Sequence, residues 1–178
     1  MSHENTGSKR HSWRSRILST ILARHPALAG YFYAGDSELP ASDDLFTQFA
    51  AVRGNMDADS GFPLTRTVPV AAADVTATVF LTHGHRYGVN FGLGELIAAG
   101  SEVHADLVIF GHTHQLGVEQ HAGMVLLNPG SISQPRGEFA RLGGTYAIVT
   151  LTATLVQVEF LTRDGQLVPS LTRKFSRQ

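Results

Sequence analysis

The chain has 178 residues, a formal net charge of -1, 43% hydrophobic and 16% charged residues, and no cysteine. This length fits one domain with a substantial core, and the near-neutral charge gives no reason to expect a specific nucleic-acid partner. The absence of cysteine excludes disulfides and thiolate ligands. The sequence has no apolar run of ~20 residues and no signal-peptide core, so we expect a cytoplasmic protein without a membrane partner.

The chain opens with a segment unlike the rest, "MSHENTGSKRHSWRSR", in which no aliphatic side chain precedes Ile17. It contains four of the fourteen basic residues of the chain. We interpret residues 1–16 as an aberrant segment and residues 17–178 as a single domain.

Helical and extended patterns alternate after residue 17. Apolar residues at 17, 18, 21 and 22 predict a short helix that stops before Pro26. We expect strands in "YFYAGD" (31–36), in the second half of "DDLFTQFAAV" (43–52), in "VTATVFLTHGH" (75–85) and in "DLVIFGHTH" (106–114), with a helix over 91–105. A strand in "MVLLNPGS" and a hairpin of "TYAIVTL" and "LVQVEFL" follow. The order predicts a mixed α/β sandwich.

Polar side chains follow four of these strands, each in a turn that contains glycine. They are Gly35-Asp36, Gly54-Asn55, His83-Gly84-His85 and Gly111-His112-Thr113-His114. Loops beyond the carboxyl ends of strands are where open α/β sheets build their sites. Asp, Asn and His together form a nitrogen and oxygen ligand set for a divalent metal ion.

Each motif alone also has a plain structural explanation. A Gly-Asp or Gly-Asn pair is usually an ordinary turn, and one histidine of His83 and His85 could be a buried, hydrogen-bonded core residue. Two histidines around Thr113 after a buried strand are harder to explain by packing, so the combination favours a metal site. The remaining histidines (3, 11, 25, 104 and 121) are expected at the surface.

Five stretches resemble the successive motifs of the calcineurin-like metallophosphoesterases, and more narrowly their small bacterial and archaeal phosphodiesterase group. They are "AGDSELP", "RGNMD", "LTHGHRYGVN", "FGHTH" and "LNPGSISQPRG". The resemblance implies an α/β fold, a four-layer αββα sandwich of two mixed β-sheets. It also implies two divalent metal ions, with Mn²⁺ favoured over Ni²⁺, Fe²⁺ or Zn²⁺, and a small phosphodiester as substrate. A homodimer is left open.

The resemblance also assigns roles to individual residues. Asp36 would bridge the two ions, Asn55, His83 and His112 would complete one site, and His114 would bind the other ion. Asn55 and His85 are the catalytic candidates and would contact the phosphate, as would Arg136. Many relatives have a histidine where this chain has Met56, so the general acid is left unidentified.

The family's first strand and its Asp-x-His-Gly motif, which supplies two further ligands, are missing. Reading the degenerate codons of residues 3–16 one base late permits "MKILVVSDIHGDRE", an apolar strand followed by that motif. We therefore interpret residues 1–16 as an out-of-frame translation. As written, the chain should be less stable, with unpaired strand edges, and weakly active.

Three functions compete on this evidence. A metal-dependent phosphodiesterase is the leading hypothesis. The alternatives are a non-catalytic protein-binding scaffold with a degraded metal site, and a single ion that serves structure only. Metal affinity separates the first two, and thermal stabilisation by metal without turnover would indicate the third.

Overall fold

The computed structural model describes residues 6–72 and 75–177, with side chains from residue 13 onward except at residue 72. Its two α-helices are α1 (Thr6–Arg24) and α2 (Gly94–Glu102). The strands are β1 (Tyr31–Tyr33), β2 (Phe49–Ala51), β3 (Thr65–Ala72), β4 (Val75–Thr82), β5 (Leu107–Ile109), β6 (Gly117–His121), β7 (Met124–Asn128), β8 (Thr145–Leu151), β9 (Leu155–Thr162) and β10 (Arg173–Ser176).

One layer is a five-stranded sheet in the order β3-β4-β5-β7-β6. Its three inner strands, β4, β5 and β7, are parallel, and β3 and β6 are antiparallel edges. Every residue of β5 and β7 is buried, because both faces of the inner strands are covered. On one face α2 contributes Leu96 to a cluster with Phe80, Val108 and Leu126.

The second layer packs on the other face of this sheet, with Val156, Val158 and Phe160 of β9 in the shared core. It consists of a parallel pair, β1-β2, and an antiparallel sheet in the order β10-β9-β8. Helix α1 covers its outer side, where Leu18 and Ile21 are buried. The order is helix, sheet, sheet, helix, which confirms the predicted mixed α/β sandwich.

The second layer differs from the expected single sheet because it is divided in two. In the described part of the chain, β1 pairs only with β2 and β8 pairs only with β9. The division falls between β1 and β8, where no described strand lies.

Helix α1 is longer than the sequence pattern indicates. It runs through the boundary between residues 16 and 17 without a break. The guanidinium of Arg163 lies 5.6 Å from the ring centre of Trp13, and buried Arg14 forms an ion pair with Glu38 at 2.7 Å. The helix does not bear on how residues 1–16 arose, so their out-of-frame origin stays a prediction.

The expectation of surface histidines is met at His104 and His121, which are exposed. It is wrong for His25, which is half-buried with its Nε2 2.9 Å from the hydroxyl of Tyr146. The side chains of residues 3 and 11 lie outside the described part of the chain. Within that part, no helix has the length and apolar character needed to cross a membrane.

Candidate metal centre

The predicted ligands come from both layers of the sandwich. Asp36 and Asn55 follow β1 and β2 in the second layer, whereas His83 and His112 follow β4 and β5 in the five-stranded sheet. Parallel strands have their carboxyl ends at one edge of a sheet, and here the two layers meet at that edge. The fold therefore brings together residues that are up to 76 positions apart in the sequence (36 to 112).

The Nε2 of His83 lies close to one polar atom of each of the other three residues. The Nε2 of His83 lies 3.2 Å from Asp36 Oδ2, 3.0 Å from Asn55 Oδ1 and 3.3 Å from His112 Nδ1. His112 Nδ1 is 2.9 Å from Asn55 Oδ1. An ion with metal–ligand bonds of ~2.0–2.2 Å holds neighbouring donors roughly 3.0–3.5 Å apart, so these separations suit a single bound ion.

The hydrogen bonds of His83 favour a positive charge next to its Nε2. Its Nδ1 lies 2.6 Å from the carbonyl oxygen of Ala34, which can only accept, so this nitrogen carries a proton. The neutral ring then directs the lone pair of Nε2 at the oxygens of Asp36 and Asn55, which are acceptors as well. A cation, as a metal ion or as a second proton on His83, satisfies all three atoms.

The side chains at this point are of the types that bind divalent ions. They are a carboxylate, an amide and two imidazoles, the ligand types used for borderline and hard divalent metals. Among the described residues, however, no group of three or more His, Cys, Asp and Glu side chains is placed so that these residues alone could hold a metal ion. Asn55 is not one of these four residue types. Its amide oxygen lies 3.0 Å from Nε2 of His83 and 2.9 Å from Nδ1 of His112.

The arrangement around His114 is less complete. Its Nδ1 lies 2.9 Å from the carbonyl oxygen of Gln134, so that nitrogen carries the proton and Nε2 has the free lone pair. His114 and Asp36 line the same cavity.

Backbone strain coincides with the predicted ligands. Asp36, His112 and His114 have φ angles of 60°, 67° and 59°, in the left-handed region that non-glycine residues rarely adopt. Such conformations cost of order 1–3 kcal/mol each and cluster at functional sites. Three strained residues at one cavity therefore favour a binding site over ordinary turns.

The glycines next to the ligands are required by close packing. A Cβ on Gly54 would lie 1.9 Å from Asp36 Oδ1, and a Cβ on Gly35 would lie 2.7 Å from His83 Nδ1. Gly35 also has a φ of 91°, which disfavours any side chain there. Both positions admit only glycine while the ligands keep their places.

A cavity of about 390 Å³ opens beside the four donors, and both Met56 and Arg136 line it. Arg136 is exposed, and among the described residues no carboxylate forms an ion pair with it. His85 is not part of the cavity lining. Its ring centre is 5.3 Å from that of His83, and its buried Nδ1 has no hydrogen-bond partner.

The charges of the site are set by burial and by neighbouring groups. Burial lowers the pKa of His112 and His114, and nearby positive groups, among them Arg136, lower it further. Burial raises the pKa of Asp36, but contacts with His83 and with the amide of Met56 outweigh this effect, so its pKa lies below the usual value. At neutral pH the carboxyl is thus charged and both imidazoles are neutral, the forms that bind metal.

The chain is similar to known phosphoesterases. The model of the calcineurin-like phosphoesterase superfamily domain matches residues 8–154. The chain belongs to this superfamily. It is 32% identical over 158 residues to the probable metallophosphoesterase YsnB of Bacillus subtilis, with 88% of this chain and 89% of YsnB covered. It is 35% identical over 129 residues to the phosphodiesterase YfcE of Escherichia coli, with coverage of 68% and 65%.

Solved structures give the same fold. A predicted phosphoesterase from Streptococcus pneumoniae is 33% identical, with a TM-score of 0.85 and coverage of 92% of this chain and 91% of that one. Vps29 of Entamoeba histolytica is 18% identical, with a TM-score of 0.66 and coverage of 90% and 89%. The second likeness concerns the fold alone.

The sequence analysis missed a residue that holds two loops of this candidate site together. Asp57 is buried, and its carboxylate accepts hydrogen bonds from the amides of Asp36 (2.8 Å), Glu38 (2.8 Å) and Gly54 (2.7 Å). The loops after β1 and β2 are therefore fixed to each other. Its presence in "RGNMD" was visible, but nothing in the sequence distinguished it from a surface aspartate.

Two asparagines near the candidate ligands were also missed. Asn90 Nδ2 lies 3.0 Å from His112 Nε2, the nitrogen that faces away from the other donors. When Nδ1 of His112 binds a metal, Nε2 carries the ring proton, so the amide of Asn90 has to turn its oxygen to this nitrogen to accept it. Buried Asn128 donates to the carbonyl of Gly111 at 3.1 Å and to the hydroxyl of Thr113 at 2.9 Å. Both contacts orient the loop that carries the ligand histidines. Asn128 is part of the quoted motif "LNPG", which was the one feature of the sequence that could have indicated it as a site residue.

Proposed function

We propose that this protein is a divalent-metal-dependent phosphodiesterase, with Mn²⁺ the favoured metal. The observation that carries the proposal is the cluster around His83, whose Nε2 lies 3.0–3.3 Å from Asp36 Oδ2, Asn55 Oδ1 and His112 Nδ1. Membership of the phosphoesterase superfamily supports hydrolysis of a phosphoester, and the name of the similar YfcE supports a diester.

In this proposal Asp36, Asn55, His83 and His112 hold one ion, and Asp36 and His114 contribute to a second. Bound divalent ions supply positive charge to phosphoryl oxygens and lower the pKa of water. The protein's own part is to keep the ligands in their metal-binding protonation states. Ala34 and Gln134 do so by fixing the protons of His83 and His114 on Nδ1.

Substrate binding falls to residues that line the cavity. Arg136 places an exposed guanidinium there, which attracts a phosphodiester anion and can donate to its oxygens. Asn55 has its amide nitrogen left for the same purpose after Oδ1 joins the metal ligands. The predicted phosphate contact of His85 has no support from the cavity lining and stays a prediction. Met56, 61% exposed at the cavity, offers no acid, so a solvent proton would reach the leaving group.

The test compares hydrolysis of bis(p-nitrophenyl) phosphate and of p-nitrophenyl phosphate, with Mn²⁺ and with EDTA. We expect weak, Mn²⁺-dependent turnover of the diester that His112→Ala abolishes and that His104→Ala, at an exposed site far from the donors, leaves unchanged. Arg136→Ala should raise KM more than it lowers kcat, because it removes a contact made by bound substrate.

Three results would overturn the proposal. Turnover of the monoester alone would make the protein a phosphomonoesterase. Mn²⁺ binding that requires His112 but gives no turnover of either ester would favour the scaffold or the structural-ion alternative. Turnover that persists in His112→Ala would place the activity elsewhere.

A further inference from the structure

Helix α1 lines the cavity of the candidate metal centre with the side chains of Arg14 and Leu18. The two residues are four positions apart, so they lie on the same face of the helix. Leu18 is buried in a cluster with Leu39 and Phe49, which packs this face against the loop after β1. The guanidinium of Arg14 is therefore placed beside residues 36–38 of that loop.

Arg14 is a buried cation, and its contacts in the described part of the chain are made with this loop. The side chain is 8% exposed. Its Nη1 donates to the carbonyl oxygen of Ser37 at 3.1 Å and lies 2.7 Å from Oε1 of Glu38. Among the described residues, no other group donates to the carbonyl of Ser37. Because a buried carbonyl without a donor is unfavourable, the loop depends on this guanidinium to keep its conformation.

The loop that Arg14 contacts has a strained backbone. Asp36 and Glu38 have φ angles of 60° and 55°, in the left-handed region. Strained conformations persist only where the surrounding structure holds them in place. Asp57 accepts from the amides of Asp36 and Glu38, while Arg14 binds the carbonyl of Ser37 and the carboxylate of Glu38. The amides of the loop and its carbonyl are thus held by different elements of the fold.

We infer that Arg14 is a positioning residue of the candidate metal centre, which fixes the loop after β1 so that Asp36 stays beside His83. The inference rests on the proposed function, because the metal ligand that Arg14 positions is assigned there. Asp36 Oδ2 lies 3.2 Å from His83 Nε2, and the backbone of residues 36–38 sets where this carboxylate points. Arg14 belongs to residues 1–16, which we interpret as an aberrant segment. In the chain as written, that segment contributes to the site.

The experiment compares four full-length proteins: the parent, a double variant with Arg14→Met and Glu38→Gln, Arg14→Lys, and Arg24→Met. The double variant removes both members of the ion pair, so it leaves no charge unpaired and keeps the net charge of the chain. Arg14→Lys keeps a cation that can donate to both oxygens. Arg24→Met is the control, since Arg24 lies on the same helix and donates to the backbone carbonyl of Arg163 at 2.8 Å.

Two quantities are measured for each protein. Amide hydrogen exchange of residues 35–40 is followed by mass spectrometry in EDTA, with residues 117–128 as an internal reference. The Kd for Mn²⁺ is then measured by titration calorimetry at a temperature where circular dichroism shows each protein to be folded.

In the double variant we expect exchange at residues 35–40 to become at least about tenfold faster, with no change in the reference segment. Its Mn²⁺ binding should be about tenfold weaker, because Asp36 is no longer held in place. Arg14→Lys should restore most of the affinity, to within about threefold of the parent, because the ammonium replaces the lost donor. Arg24→Met should match the parent in both measurements.

Three results would overturn the inference alone. Unchanged exchange in the double variant would show that the loop does not depend on Arg14. Faster exchange with unchanged Mn²⁺ affinity would make Arg14 a structural residue without effect on the ligand. Equal weakening of Mn²⁺ binding by Arg24→Met would assign the effect to the helix as a whole. A parent that binds no Mn²⁺ would refute the proposed function together with the inference, so the two failures are distinguished.

Discussion

Asp57→Asn tests whether the carboxylate beneath the metal centre holds the two ligand loops together. Asp57 is 5% exposed, and its Oδ2 accepts from the amides of Asp36 and Gly54 while its Oδ1 accepts from the amide of Glu38. The substitution replaces one oxygen by an NH₂ group. The least costly orientation puts this group in the place of Oδ1, where the Ser37 hydroxyl can turn to accept from it but the amide of Glu38 loses its acceptor. The substitution also removes the charge from the two bonds to Oδ2.

Hydrogen bonds to charged groups contribute about 1.5–3 kcal/mol each, so one lost bond and two weakened ones should cost about 2–4 kcal/mol. For a chain of this size, that corresponds to a fall in unfolding temperature of roughly 5–15 °C. Thermal unfolding followed by circular dichroism in EDTA measures the effect. Titration calorimetry with Mn²⁺ should also show at least about tenfold weaker binding, because Asp36 loses its support.

Asp59→Asn is the matched control. Asp59 lies two residues away and accepts from the amides of Ala41 and Gly61 at 2.7 Å each, so it joins the same two loops at residues other than Asp36, Gly54 and Asn55. This variant should bind Mn²⁺ as tightly as the parent. The reasoning would be refuted if Asp57→Asn unfolded within about 2 °C of the parent, or if both variants weakened Mn²⁺ binding equally.

Two further predictions concern packing and pH. Gly54→Ala should displace Asp36 and abolish Mn²⁺ binding in a calorimetric titration. Gly94→Ala is the control and should leave Mn²⁺ binding intact, because a Cβ at Gly94 meets nothing within 4 Å. Equal binding by both variants would contradict the steric argument. The metal-free protein should become less stable to urea as the pH falls from about 7.5 to 5.5. The pKa values of His112 and His114 are lower in the folded protein than in the unfolded chain, so the unfolded chain binds protons at a higher pH and is favoured as the pH falls. Replacing both histidines by asparagine should flatten that dependence, and an unchanged slope would show that other groups cause it.

The strands that were predicted from the sequence are those with strong apolar patterns. β1, β2, β4, β5, β7 and the β8–β9 hairpin all lie within the predicted stretches. β3, β6 and β10 were missed, and most of the described side chains in each of them are exposed. Edge position alone is not the reason, since β1, β2 and β8 are edge strands as well. Strands that bury little carry no clear apolar alternation in the sequence.

Helix α1 shows a different limit. The apolar spacing after Ile17 predicted a helix, but its extension back to Thr6 consists of residues without an apolar stripe. The described contacts of this extension are made by Trp13 and Arg14, whose partners Arg163 and Glu38 are distant in the sequence. No local pattern could have indicated those partners.

The sequence by itself determined the residue types and their places at strand ends. Gly-Asp, Gly-Asn, His-Gly-His and Gly-His-Thr-His each follow an apolar stretch, and this local order was enough to predict a site at one edge of the sandwich. Such information is local, because a strand and the turn after it are neighbours in the chain.

Only the tertiary structure decided which atoms meet. It placed the Nε2 of His83 against oxygens from the opposite layer, fixed its proton by the carbonyl of Ala34, and put Asp57 beneath both loops. It also divided the second layer between β1 and β8. These features depend on contacts between segments distant in the sequence, and such contacts are set by how the layers pack rather than by any local pattern of residues.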